Sequence, residues 1–294
     1  MNYQWYPGHM TKAKRMMEEN IKLIDLVIEI VDARIPISSR NPDIDSLAVN
    51  KARIILLNKS DLADDKITNQ WINYFNENNI YCLKLNSRNN SGIKQVNGLI
   101  MTACADKIER NKQRGILNRP IRAMVVGIPN VGKSTFINSY AGKASAKTGN
   151  KPGVTKGKQW IKLNKNVELL DTPGILWPKF DNQEVGKRLA MIGSMNDKIL
   201  NVEELAIDTI KYIYSEYSDN VIERYGLDKE KTAASYDENA INPDNSVALY
   251  IMEQAAVKRG CIKKGNNIDY EKISNIILDD FRSGRLGRIS LETP

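Results

Sequence analysis

Short apolar runs rich in β-branched residues alternate along this chain with segments whose apolar positions recur at helical spacing. That alternation predicts a mostly parallel sheet flanked by helices, an α/β architecture. The strand candidates are residues 26–31, 53–57, 80–85, 122–126 and 167–170. Residues 159–163 are a further strand, and the turn Asn164-Lys165-Asn166 predicts that it forms an antiparallel hairpin at the sheet edge. Residues 10–23 carry a helical pattern after the Pro7-Gly8 break, and residues 106–120 read as a helix running into a linker at Asn118-Arg119-Pro120. After Pro178 the strand pattern stops, and helical segments follow at 182–194, 202–218, 244–259 and 269–283. The expected organisation is an α/β domain over residues 1–178 and an all-helical domain over residues 179–294.

With 294 residues, 41% of them hydrophobic, the chain is long enough to bury a substantial core. No apolar run approaches the roughly 20 residues of a membrane helix, and the first residues lack a signal-peptide core, so a cytoplasmic protein with no membrane partner is expected. Cys82, Cys104 and Cys261 are too few and too widely spaced for a disulfide framework or a zinc site. The net charge of +8 is unevenly spread. Residues 1–178 hold 27 Lys and Arg against 15 Asp and Glu, or +12, which leaves −4 for residues 179–294. From Arg110 to Val167 there are 13 cations and no acid, which favours a polyanionic partner.

Gly127-Ile-Pro-Asn-Val-Gly-Lys-Ser134 follows an apolar strand and precedes a helical stretch, the context a phosphate-binding loop demands. The loop residues Pro129, Asn130, Val131, Gly132, Lys133, Ser134 and Thr135 would close around the phosphates, the backbone N–H groups after Pro129 donating to them. Lys133 would reach the β/γ-oxygens and Ser134 would ligate Mg²⁺. Asp171-Thr-Pro-Gly174 ends the strand at 167–170; there Asp171 would hold Mg²⁺ and the Gly174 N–H would sense the γ-phosphate. Thr155, between the two motifs, is the candidate second hydroxyl ligand to Mg²⁺.

Asn58-Lys59-Ser60-Asp61 after the strand at 53–57 reads as a guanine-recognition loop. Its Asp61 carboxylate can accept both N1–H and N2–H₂ of guanine, a paired contact adenine cannot match. Asn58 would brace the loop and touch the base, and the Lys59 stem would cover its face. Asn86-Ser87 would supply a backbone N–H to guanine O6. The guanine loop precedes the phosphate loop, the reverse of the order in an ordinary GTPase, so the domain is read as a circularly permuted P-loop GTPase domain.

These motifs, with Tyr6-Pro7-Gly8-His9-Met10, Asp32-Ala33-Arg34-x-Pro36 and Asp280-Phe-Arg-Ser-Gly-Arg-Leu-Gly-Arg288, resemble the circularly permuted GTPases and specifically the bacterial ribosome biogenesis GTPase A family. The resemblance runs nearly end to end. It implies binding of GTP and GDP and a role in late assembly of the large (50S) ribosomal subunit. It also implies hydrolysis stimulated by the subunit precursor, and a C-terminal helical domain contacting ribosomal RNA and proteins. Arg282, Arg285 and Arg288 are the candidate phosphate contacts there.

Asp171-Thr-Pro-Gly174 is followed by Ile175-Leu176-Trp177, so no glutamine is available there to orient the attacking water. His9 is the only histidine. On the residues alone it either caps the first helix or serves as the water-orienting group; the resemblance implies the catalytic role. Asn130 resembles the asparagine with which other GTPases hold K⁺ beside the phosphates, and an inert loop asparagine is the alternative. The function expected is a GTP-hydrolysing switch, with an RNA-binding assembly scaffold carrying a vestigial nucleotide site as the alternative.

Overall fold

A computed structural model describes residues 8–117, 119–142, 159–163, 165–177 and 180–294. Six strands, β1 (Leu26–Asp32), β2 (Ala52–Asn58), β3 (Tyr81–Lys84), β4 (Ile121–Val126), β5 (Gln159–Lys162) and β6 (Val167–Asp171), form one sheet in the order β3-β2-β1-β4-β6-β5. Every neighbouring pair is parallel except β5, which runs antiparallel to β6 at the edge, the hairpin its turn predicts. All seven residues of β1 are buried, so it is covered on both faces. Glu29, in its middle, is matched inside the protein by Arg40 at 3.1 Å and Arg53 at 3.0 Å. Both guanidiniums also reach Asp45, at 2.6 Å, so the buried carboxylate belongs to a network rather than standing alone.

The first six helices are α1 (Gly8–Asn20), α2 (Asp43–Leu47), α3 (Asp65–Glu77), α4 (Ile93–Ala103), α5 (Ala105–Gln113) and α6 (Lys133–Ala141). Side chains alternate across β2: Ile54 and Leu56 join the main core, while Ile55 and Leu57 lie in a smaller cluster under Trp71 and Phe75 of α3. Asp64 starts α3 by accepting the Ile67 N–H at 3.0 Å.

No strand follows β6 among the described residues. The chain continues as α7 (Gln183–Met191), α8 (Val202–Glu216), α9 (Ser218–Tyr225), α10 (Lys229–Ala233), α11 (Ser246–Arg259) and α12 (Tyr270–Arg282). The single helix expected over 202–218 is broken at Tyr217, whose non-helical backbone, at φ −139° and ψ 47°, ends α8 and opens α9. Asn182, Asn201, Asp228 and Asp269 cap helix starts with their side chains. Part of this region's excess of acids is therefore helix-start chemistry. Helix α8 packs against α11 and α12, and one apolar cluster runs from the strands into these helices.

The chain then returns to the first part of the molecule. Ile289 N–H donates to Leu62 O at 2.9 Å and Leu291 N–H to Arg34 O at 2.8 Å. The Glu292 carboxylate accepts the Ser38 N–H at 3.1 Å, the Ser38 hydroxyl at 2.6 Å and Arg188 Nη1 at 3.0 Å. Two of the three arginines expected to contact phosphate are already paired. Arg282 forks onto Asp197 at 2.7 and 2.8 Å, and Arg285 pairs with Asp279 and Asp280. Carboxylates that follow β6 in the chain already engage these two guanidiniums, while Arg288 is exposed.

All three cysteines are free and buried. Burial pushes the Cys82 thiol up to about 12 and the Cys104 thiol to about 11, so neither is a ready nucleophile. Among the described residues no helix is long and apolar enough to cross a membrane.

Candidate nucleotide site

The ends of β4, β6, β2 and β3 lie on one edge of the sheet, where parallel strands place ligand-binding loops. After β4, the loop from Gly127 turns into α6 at Gly132, whose φ is +98°. A Cβ at Gly132 would lie 2.3 Å from Asn58 Nδ2, so a side chain there would split the phosphate loop from the guanine loop. Lys133 is 7% exposed, and its ammonium donates to Gly127 O at 3.1 Å and Ile128 O at 2.8 Å. Burial draws its pKa down to about 8, against the opposing pull of Asp171. Gly174 packs on the same group: a Cβ there would be 2.7 Å from Lys133 Nζ and 2.9 Å from Pro129 N. Asp171, the last residue of β6, is buried opposite Val125, and the Thr172 hydroxyl ties the turn to Val125 O at 2.7 Å.

The guanine loop is built from side chains. Register pairs Asn58, at the end of β2, with Asp32, at the end of β1. Asn58 Nδ2 donates to Val131 O at 2.8 Å, and its Oδ1 accepts the Ser87 N–H at 3.1 Å and the Ser87 hydroxyl at 2.9 Å. One buried amide thus holds three loops together. Lys59, at φ +57°, donates to Asp32 Oδ2 at 2.9 Å, and Arg34 forks onto the same carboxylate at 2.8 Å with each arm. Burial alone would raise the Asp32 pKa, but Arg34 and Lys59 overcome it and hold the carboxyl far below the usual range. The Arg34 guanidinium also lies 5.1 Å from the Phe281 ring centre of α12.

A cleft of about 310 Å³ opens between these loops. Asn58, Lys59, Asp61, Asn86 and Ser87 line it from the guanine side, and Asn130, Gly132 and Thr135 from the other. Lys133 and Asp171 are buried, the half-buried Gly174 lies against the Lys133 ammonium, and Ser134, half-buried, is the second residue of α6. Val131 is buried, its carbonyl holding Asn58, and the Pro129 carbonyl accepts the Ser194 hydroxyl at 2.9 Å.

Two expectations for the base change. Both Asn58 amide ends are engaged within the protein, so it acts as a brace. The N–H groups expected to meet guanine O6 also have partners, Asn86 N donating to Ser91 O and Ser87 N to Asn58. The Asp61 carboxylate stands exposed on the cleft wall. Thr155 lies outside the described residues, as does the His9 side chain. His9 itself sits in the first turn of α1, and the neighbouring Met10 accepts the Leu176 N–H on its sulfur at 3.4 Å, two residues past Gly174. Sequence reasoning missed Leu62, Arg88 and Arg282 on the cleft wall. The Asp32-Ala-Arg motif signalled the buttress behind Lys59 without revealing its job, and the Asp280–Arg288 motif signalled Arg282 as a phosphate contact of the helical region, not as part of this cleft.

A family model described as 50S ribosome-binding GTPase matches residues 122–236. It begins at β4 and leaves out the upstream guanine loop, as a permuted chain requires. Ribosome biogenesis GTPase A of Bacillus cereus is 46% identical over 294 residues, covering 100% of this chain and 95% of that protein. The chain belongs to the ribosome biogenesis GTPase A family. The Thermotoga maritima ribosome biogenesis GTPase A is 32% identical over 99% of this chain and 94% of its own length. GDP-bound YlqF has a TM-score of 0.64 at 25% identity, covering 95% of this chain and 98% of its own. The GNP-bound YlqF structure from T. maritima has a TM-score of 0.61 at 26% identity, covering 96% and 98%. Like other ribosome biogenesis GTPases A, this chain is a GTPase of ribosome biogenesis that binds GTP and GDP.

GTPases of this class generally use Mg²⁺. The residues present suit it: a buried carboxylate on Asp171 and a hydroxyl on Ser134 are hard oxygen donors. No group of three or more His, Cys, Asp or Glu among the described residues would hold a metal alone.

Proposed function

We propose that this protein is a cytoplasmic GTP-driven switch in late assembly of the large ribosomal subunit, with hydrolysis stimulated by the subunit precursor. The observation that carries the reading is that the helical region grips both ends of the nucleotide cleft. Asn130 donates to Gly193 O at 2.7 Å at the phosphate end, and Ile289 donates to Leu62 O at 2.9 Å at the guanine end. A change in bound nucleotide would therefore strain contacts to helices α7 to α12, which we assign, as residues 179–294, to the RNA- and ribosome-binding domain beside a GTPase domain of residues 1–178. The naming of relatives for ribosome biogenesis and the description of the matching family as 50S ribosome-binding support the same partner.

In this reading Lys133 binds the β- and γ-phosphates with the N–H groups from Asn130 to Thr135, in the loop that Pro129 opens, and Gly174 senses the γ-phosphate. Asp61 selects guanine. Asp171, Ser134 and Thr155 would hold Mg²⁺, which supplies charge neutralisation on the phosphates. His9 orients the attacking water; its neighbour Met10 already rests against the segment after Gly174. Asn130 contributes to a K⁺ site that offsets charge developing in phosphoryl transfer. The test is GTP turnover with and without purified large-subunit precursors, alongside Lys133→Ala as the inactive control. Strong stimulation by the precursors is expected. Equal rates with and without them would defeat the proposed partner, and turnover no faster than that of the control would point to a scaffold.

A further inference from the structure

The α7 helix ends in a turn aimed at the phosphate loop. Gly193, at φ +78°, donates to Ala190 O at 3.0 Å and Ser194 N–H to Leu189 O at 2.9 Å, the paired bonds of a left-handed helix stop. From that stop, Gly193 O accepts Asn130 Nδ2 at 2.7 Å and the buried Ser194 hydroxyl donates to Pro129 O at 2.9 Å. A carbonyl can only accept, so the Asn130 amide has one permitted orientation, with its oxygen turned away from Gly193.

Arg282, at the end of α12, locks the turn from behind. Its Nε donates to Met191 O at 3.0 Å and its Nη2 to Ala190 O at 2.8 Å, while the fork onto Asp197 keeps the guanidinium in place. The fit leaves no slack: a Cβ at Gly193 would stand 3.1 Å from Arg282 Nε. Asn130 and Arg282 both reach the cleft wall.

We propose that Arg282 is a positioning residue for GTP hydrolysis, acting through the Gly193-Ser194 turn to fix the orientation of the Asn130 amide. The phosphate loop of this protein is then completed by a part of the chain that follows it by some 150 residues, and any movement of α12 is felt at the phosphates. The proposal rests on the reading of Asn130 as part of the phosphate site.

A double-mutant cycle on the full chain tests it, with steady-state GTP turnover in KCl and a thermal melt for each variant. Arg282→Ala should lower kcat about tenfold while KM moves less than about threefold, because misorientation of a positioned group costs rate more than binding. Added to Asn130→Ala, it should lower kcat no further than about twofold, since both changes remove the same arrangement. Losses that multiply in the double variant would overturn the inference while leaving the role of Asn130 standing. A normal kcat with only a lowered melting temperature would reduce Arg282 to a fold-stabilising residue and equally overturn it. Asn130→Ala with unchanged turnover would remove the underlying reading of Asn130 as well. Should Arg282→Ala not fold, Ser194→Ala enters the same cycle with the same expectations.

Discussion

The phosphate end of the cleft takes its shape from backbone, with Gly174 admitting no side chain beside one buried ammonium and Gly132 none beside Asn58. The guanine end takes its shape from side chains, with the Asn58 amide bonding to Val131 and Ser87 and the Asp32 carboxylate receiving both Lys59 and Arg34. The first is built around one strand, loop and helix, with Gly174 and the Gly193-Ser194 turn packed against it. The second draws on residues from four separate stretches of chain, so it can be loosened from many places. Damage at the phosphate end should therefore register in binding and chemistry, and damage at the guanine end in stability as well.

Lys133→Ala should have the largest effect, lowering GTP affinity on the order of a thousandfold through loss of charge-assisted bonds to phosphate. Its melting temperature should hold steady, since removing a buried ammonium also removes its desolvation cost; a large drop would erase the contrast between the two ends. Asp61→Ala should weaken GTP binding on the order of a hundredfold and leave ATP binding as it was, read by competition titration. Equal losses for both nucleotides would move base selection to another residue.

Asn58→Ala should cost about 2 kcal/mol of stability by orphaning Val131 O and the Ser87 N–H, measured by urea unfolding. An unaltered unfolding midpoint would mean the three loops do not depend on that amide.

Next in size is a pH effect confined to the phosphate end. The Lys133 pKa is lowered to about 8 in the folded protein, so the phosphate-binding ammonium is present below that pH and is lost above it. Above pH 8, binding must take up a proton, and GTP affinity should fall by at most about tenfold per pH unit. Lys133→Arg, charged throughout, should flatten that profile; the same slope in the variant would assign the titration elsewhere. The smallest effect is expected from Glu292→Gln, which leaves the shape of the strap but weakens its bonds to Ser38 and Arg188, costing about 1 kcal/mol in urea unfolding with little change in nucleotide affinity.

The same contrast explains what could be read from the sequence. The strands at residues 26–31, 53–57, 122–126 and 167–170 were legible because a buried parallel strand is a nearly unbroken apolar run, and the edge hairpin because its turn lies between its strands. The phosphate loop was legible because its chemistry occupies eight consecutive residues. The guanine end was legible only at its recognition loop. That Asn58 would engage both ends of its amide depended on Val131, 73 positions later, and on Ser87, 29 positions later. Arg282 and Arg285 looked like free cations because the carboxylates that engage them could be assigned only once α12 was folded against its neighbours. The break at Tyr217 was hidden because helical spacing continues across it.

The strap has a consequence in time. Ser38 and Glu292 are 254 positions apart, so the loop around Arg34 leaves the translating ribosome long before the segment that fastens it. Closing so long a loop adds little to the final free energy but delays the event. The early strands can pair and bury their apolar faces while the guanine end waits, unfastened, for residues 289–292 to emerge. A protein whose relatives are named for ribosome biogenesis thus cannot fasten the guanine end of its own nucleotide site until residues 289–292 have left the ribosome that makes it.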